Sequence, residues 1–306
     1  MSLVLVPTRS GLRTFTASGE DVSELPGRKI GALVSVAGAS CVAVIDEREI
    51  WRRGTSGDWC QAAIVDLAVQ SLTATKETIY VGGSDEAAIV RISPEGLSER
   101  LDGFDHAPGR EEWFGNGPPL GVRSLTATSD GATILAGVHV GGVPRSVDRG
   151  ETWSPTMPVL FDVHEIRAHP SRPNLVAAAA AVGLCISDDH GQTWTVFSEG
   201  IENTTCLAVA VLENEVLVSV QDGPFAKRSQ VWKWEIGGQQ IERVQDGLPE
   251  WLEGRVDTGG LAAGCGRAAI ADGGGNLWLS TAGSAGWQKI ADGLPYVFGL
   301  AIVEDY

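Results

Sequence analysis

Positive charge is scarce in this chain. Lys and Arg number 23 against 39 Asp and Glu, which leaves a net charge of −16. No run of basic residues is longer than two, as at Arg52-Arg53 and Lys227-Arg228. Nucleic acids and anionic membranes are held by clustered Lys and Arg, so neither is expected as a partner. Long apolar runs are missing too: nothing approaches the ~18 residues that a membrane-spanning helix requires. The opening Met1-Ser-Leu-Val-Leu-Val-Pro-Thr-Arg9 has a short apolar stretch with no basic region before it, which does not read as a secretory signal. Cysteine is sparse and unpatterned. The five residues (Cys41, Cys60, Cys185, Cys206 and Cys265) form no Cys-x-x-Cys pair, and the expectation is buried, reduced thiols in a cytoplasmic protein. The histidines show no His-x-His or His-Glu-x-x-His spacing, so the common local metal motifs are absent as well.

What is abundant is glycine, 39 residues in 306, as a fold with many tight turns demands. Two octets stand out: Ser146-Val-Asp-Arg-Gly-Glu-Thr-Trp153 and Ser187-Asp-Asp-His-Gly-Gln-Thr-Trp194. Both read Ser-x-Asp-x-Gly-x-Thr-Trp, and each follows an apolar run and a glycine. Recurrence at about 40 residues marks a repeated supersecondary unit of a propeller, solenoid or array. Within each octet the Asp carboxylate (Asp148, Asp189) can accept from the N–H groups of its own turn. The glycine (Gly150, Gly191) suits a positive φ, and the tryptophan (Trp153, Trp194) can anchor the outgoing strand.

The octet resembles the Asp-box of the BNR-type β-propellers, a family that includes sialidases, sortilin-like receptors and photosystem assembly factors. The resemblance implies an all-β propeller, with Ser146, Asp148, Gly150, Trp153, Ser187, Asp189, Gly191 and Trp194 as structural turn residues on the face away from any active site. Apolar second strands are then expected to begin near Leu3, Cys41, Thr78, Thr133, Leu175, Val216 and Ala268. This predicts one domain, 1–306, of seven four-stranded blades, with six as the alternative. Arg53-Gly-Thr-Ser-Gly-Asp-Trp59 and Ser280-Thr-Ala-Gly-Ser-Ala-Gly-Trp287 read as degenerate boxes. The last segment, Phe298-Gly-Leu-Ala-Ile-Val303, reads as a lone first strand that closes the ring beside Leu3 to Pro7.

Propeller connectivity sorts residues by face without coordinates. Connections from fourth to first strands and from second to third strands share one face, and the boxes occupy the other. Two long insertions, Asp102 to Gly121 and Pro249 to Gly260, fall on the first of these. That places His106, Trp113, Asn116, Arg123, Trp251, Arg255 and Asp272 there as candidate ligand-binding residues. His139, His164, Asp162, Asp222 and Asp257 are candidate catalytic residues. His139 and His164 come from neighbouring units and should converge with Asp162 at the channel mouth, where they could bind a divalent transition metal or act as general base and acid. Trp113, Trp251 and Tyr296 would form an aromatic rim. His169 and His190 are expected on the opposite face.

Three function classes fit. The first is a cytoplasmic propeller binding a small ligand at the mouth, with or without His/Asp catalysis. The second is a non-catalytic module that clasps a protein partner, as the assembly-factor relatives do. The third is a glycoside hydrolase-like enzyme working through two carboxylates. Typical sialidase activity is disfavoured: the resembling enzymes carry an Arg-Ile-Pro segment that is absent here, and this chain has few arginines expected on the mouth face (Arg9, Arg48, Arg123, Arg255).

Overall fold

The computed structural model describes residues 2–36, 40–114, 120–223 and 225–304. Over these residues the chain forms seven antiparallel sheets, each with a path of four strands and one with a fifth strand off that path; the strands follow chain order except that the first sheet begins with the C-terminal strand. Innermost strands of neighbouring sheets contact one another all the way round, so the sheets are the blades of a closed propeller. The second strands are Ser2–Thr8, Ser40–Ile45, Ile79–Gly83, Ile134–Val138, Val176–Ala180, Glu215–Gln221 and Arg267–Ala271. These match the expected starts, and the seven-blade reading holds over six. Closure is also as expected: Ala301–Glu304 pairs antiparallel with Ser2–Thr8, from Ser2↔Glu304 to Leu5↔Ala301. The C-terminal strand thus supplies the innermost strand of blade 1.

The core is divided into seven apolar clusters, one in each gap between adjacent blades. Strand alternation produces this division. In blade 2, Val42 and Val44 pack into the gap with blade 3, while Cys41, Ala43 and Ile45 pack into the gap with blade 1. A strand buried on both faces needs a continuous apolar run, which is why the second strands are legible in the sequence.

Both octets close as self-contained turns. In the first, Ser146 Oγ donates to Asp148 Oδ1 at 2.8 Å and accepts from Gly150 N. Asp148 also accepts from the N–H and the hydroxyl of Thr152. The second repeats the pattern with Ser187, Asp189, Gly191 and Thr193. The tryptophans differ. Trp153 Nε1 donates to Gly150 O within its own turn, whereas Trp194 Nε1 reaches Thr156 Oγ1 of the preceding blade at 3.3 Å. Gly150 and Gly191 are left-handed, at φ 97 and 79, and so are the residues before them, Arg149 and His190.

Two expectations need correction. The cysteines are all free, but only Cys41, Cys185 and Cys206 are buried, while Cys60 and Cys265 are exposed. Cys60 lies in a fourth strand, Trp59–Ile64, the wet outer edge of blade 2, and Cys265 lies in a turn. The insertions are also more ordered than plain loops. The first holds a short helix, Asp102–Asp105, and a 3-10 turn, Arg110–Glu112. In the second, Leu252–Glu253 pairs with the third strand of blade 6 at Ser229↔Leu252 and Arg228↔Glu253. No helix among the described residues is long and apolar enough to cross a membrane.

Candidate functional site at the channel mouth

Bulges in the innermost strands aim side chains at the channel. The first strands of blades 2 to 6 each break register: between Ile30 and Leu33, Val69 and Ser71, Val122 and Ser124, Val163 and Glu165, and Cys206 and Val209. A bulge leaves its extra residue out of the ladder and redirects it. In blades 3, 4 and 5 that residue is Gln70, Arg123 and His164. Two of the three, Arg123 and His164, were candidates from sequence.

His139 and His164 do converge, and Asp162 is the carboxylate they share. His139 Nε2 lies 3.9 Å from Asp162 Oδ1, and His164 Nε2 lies 3.4 Å from Asp162 Oδ2. His139 comes from the second-to-third hairpin of blade 4, Asp162 from the connection into blade 5, and His164 from the bulge just beyond. Buried His164 is anchored from behind, with Nδ1 2.6 Å from the Cys206 carbonyl oxygen of blade 6. A carbonyl only accepts, so Nδ1 carries the hydrogen and Nε2 is presented to Asp162. The backbone is strained here: Asp162 has φ 47 and Val140, beside His139, has φ 48. For a β-branched valine that is an outlier costing about 1–3 kcal/mol, and such strain concentrates at functional sites.

The electrostatics separate the protonation states. The hydrogen bond to His164 pulls the Asp162 carboxyl down, partial burial opposes this, and the charges of His164, His139 and Arg123 add to the lowering. Burial pushes the His139 imidazole below its usual value. Asp162 works against that shift, and Arg123 and His164 reinforce it. Near neutral pH the site therefore holds an anionic carboxylate beside a neutral His139. Two of its atoms, His139 Nδ1 and Asp162 Oδ1, are buried with no hydrogen-bond partner among the described residues.

A second layer lies across the channel. Arg123 of blade 4 reaches the loop before blade 7, donating through Nε to Thr258 Oγ1 at 3.0 Å and through a terminal nitrogen to Asp257 Oδ1 at 3.3 Å. Asp257 also accepts from Thr258 N and from the Tyr296 hydroxyl. Below them, fully buried Glu165 accepts from Val209 N at 3.0 Å and Gly259 N at 3.3 Å and pairs with Arg167. Burial pushes the Glu165 carboxyl up, against Arg167 and those two N–H groups. Glu165, Arg167 and Thr258 were not among the expected residues. The available signal is the charge inside an apolar first strand, Val163-His-Glu-Ile-Arg-Ala168.

The remaining candidates scatter. Asp222 pairs with Arg228 at 2.6 Å on an exposed hairpin, and no contact among the described residues joins it to the histidines. Arg228 in turn stacks over Trp251 at 3.9 Å. Trp113 is no rim residue: it is buried against Phe104, with Arg110 over its ring, because the first insertion folds down onto blade 4. His106 is exposed and caps its short helix through Nδ1 and Asp102 O. Asp272 is committed to its own turn, accepting from Gly274 N, Asn276 N and the Asn276 side chain. Arg255 lines a cleft with Asp257, Asp272 and Tyr296. Asn116 lies outside the described residues. His169 bonds Glu213 O of the neighbouring blade, on the octet face as expected.

No group of three or more His, Cys, Asp or Glu among the described residues is arranged to hold a metal ion. His164 Nδ1 is tied to a carbonyl, His139 Nδ1 has no hydrogen-bond partner among the described residues, and the Nε2 atoms of both face one shared carboxylate.

No family model matches the chain, and no curated protein matches it. Solved structures do. A GH74 xyloglucanase from Xanthomonas campestris superposes with a TM-score of 0.63 at 14% identity, over 94% of this chain and 46% of that one. An ancestral GH74 enzyme gives 0.61 at 11% identity, over 98% and 39%. A computationally designed protein, Ika8, gives 0.55 at 16% identity, over 95% and 86%. The chain thus spans less than half the length of either GH74 protein, and at these identities the likeness is one of fold.

Proposed function

We propose that this chain is a small-ligand-binding propeller of the BNR/Asp-box type, with the His139–Asp162–His164 cluster as its polar contact point. One observation carries this reading: two imidazoles from adjacent blades meet on one anionic carboxylate, with Asp162 Oδ1 and His139 Nδ1 left without a hydrogen bond among the described residues. Buried polar atoms are otherwise almost always paired, so an unpaired set at a channel mouth suits a ligand that completes it. A hydroxyl or amine donor would bind Asp162. A neutral His139 beside an anionic Asp162 also has the composition for acid–base chemistry on that donor. The free, partly exposed thiols suit a reducing cytoplasm.

The test is a thermal-shift screen of small polar compounds against the wild type and Asp162→Asn, which keeps the left-handed backbone accessible. Compounds that stabilise the wild type and lose that effect in the variant support the proposal. An absence of hits, or hits indifferent to the variant, overturns it.

The protein-assembly reading also has an observation in its favour. Phe114, Leu160, Phe225 and Tyr296 are large, exposed and carried by mouth-face connections, with Phe225 at 93% exposure. Such residues mark interaction surfaces when they adjoin. A shift in oligomeric state or a copurifying partner lost in Phe225→Ser would favour that reading. The glycoside hydrolase alternative draws on carboxylates such as Asp162, Asp222 and Asp257 and on the fold of the GH74 structures, which carries no substrate over to this chain.

A further inference from the structure

We infer that the cleft beside blade 7, lined by Arg255, Asp257, Gly273 and Tyr296, is an oxyanion-binding site whose recognising group is the Arg255 guanidinium. The ligand class is a small molecule bearing a carboxylate or a phosphate. The site is separate from the histidine cluster and does not depend on that cluster being catalytic.

The cleft has about 440 Å³, counting the part open to solvent. Its two carboxylates are already committed. Asp272 accepts from Gly274, Asn276 N and the Asn276 amide, and Asp257 accepts from Arg123, Thr258 N and Tyr296. Arg255 is exposed to the cleft and makes no ion pair with any described residue. In a chain of net charge −16, arginines such as Arg28, Arg53, Arg91 and Arg100 are matched to carboxylates, whereas Arg255 brings an unmatched guanidinium to a concave site. Glu253, two residues before Arg255, packs against Gly274 and does not line the cleft.

The base of Arg255 is also fixed, as a recognition group needs. Leu252–Glu253 is pinned to blade 6 by strand pairing. Gly254, at φ 67, touches Gly273, and a Cβ placed on Gly273 would come within 2.8 Å of Arg255 N. Two glycines in contact hold the backbone of residues 253–255 against the 272–276 turn, leaving only the side chain free. Arg presents several parallel N–H donors, the geometry that carboxylate and phosphate oxygens accept. Tyr296 also lines the cleft, close enough for the Arg255 charge to bear on its hydroxyl.

Tyr296 supplies the reporter. The protein has three tyrosines, so ring-labelled tyrosine gives three signals by NMR, and Tyr296→Phe assigns the relevant one. Inorganic phosphate and acetate are titrated separately at constant ionic strength into the wild type, Arg255→Ala and His139→Ala. The expected result is a saturable shift of the Tyr296 signal with at least one anion, weakened about tenfold or more in Arg255→Ala and retained in His139→Ala. The anion with the lower midpoint identifies the group. The inference is overturned if neither anion saturates, if Arg255→Ala titrates like the wild type, or if His139→Ala abolishes the response and so relocates the anion to the histidines. Because Arg255 is exposed, loss of folding does not cloud the comparison, and matching thermal melts of the variants check this.

Discussion

The two faces of the disc use the same kind of side chain in opposite ways. On the octet face, Asp148 and Asp189 take their bonds from residues no more than four positions away. At the channel mouth, Glu165 is held by N–H groups 44 and 94 positions away, and Asp257 by an arginine 134 positions away. A locally satisfied carboxylate makes a turn that stands without the rest of the ring. A carboxylate satisfied across blades is a joint that exists only once the ring is closed. Asp162 is the intermediate case: its partners come from adjacent blades, and one of its oxygens has no hydrogen bond among the described residues.

This contrast can be broken by experiment. The largest effect should come from Glu165→Ala, which leaves Arg167, the buried N–H of Val209 and the part-buried N–H of Gly259 without their acceptor. About 3 kcal/mol of stability should be lost in urea unfolding. Glu165→Gln should lose distinctly less, since it keeps an acceptor and the carboxyl is already pushed toward its neutral form. Equal losses in the two variants would mean that Glu165 is filler and not a joint. Asp189→Ala should cost about 1–2 kcal/mol, because water replaces part of what this exposed turn loses. The channel mouth should be unaffected, as judged by unchanged histidine NMR resonances. Movement of the His139 or His164 signals would contradict the independence of the two faces. Asp162→Asn should change stability by less than about 1 kcal/mol while removing ligand-induced stabilisation, the reverse of the Asp189 pattern.

The smallest effect distinguishes the faces by pH. Partial burial pushes the Asp189 carboxyl up, but the hydroxyl and N–H of Thr193, with Ser187 and Gln192, outweigh this and hold it at about 2. A depressed carboxyl contributes stability that is complete above its usual 3.8 and is lost as pH falls toward about 2. His139 is depressed below its usual 6.5, so the unfolded chain takes up its proton first on acidification. Its contribution is complete above 6.5 and declines below it. The mouth should therefore begin to weaken at mildly acid pH and the octet turns only in strong acid. Stability curves of the wild type and His139→Gln between pH 5 and 7 check this. Parallel curves would remove His139 as the source, and the slope at stake is at most about 1.4 kcal/mol per pH unit.

Much of the fold is legible in the chain because its units are local. The octets announce their own hydrogen bonds, and the apolar second strands announce burial on both faces. From these, blade count, closure and the sorting of faces follow, and with them the meeting of His139 and His164. Other residues are not legible. Trp113 in a loop reads the same whether it lines a rim or folds down onto Phe104, and only the packing of the first insertion decides. Asp222 and Asp257 look alike in sequence, yet one pairs with Arg228 on an outer hairpin and the other with Arg123 across the channel. The bulges that aim Arg123 and His164 leave no mark, since a single-residue slip in pairing alters geometry without altering composition.

By itself the sequence determined the repeat, the self-satisfied turns and the wheel they build, because each depends on contacts within a few residues or on a two-residue alternation. Only the tertiary structure decided which charged groups meet at the axis, which carboxylates are already occupied, and that Arg255 lines a cleft with no ion-pair partner among the described residues. Those outcomes depend on segments brought together from distant blades, and the distances between them are set by ring closure and by strand register.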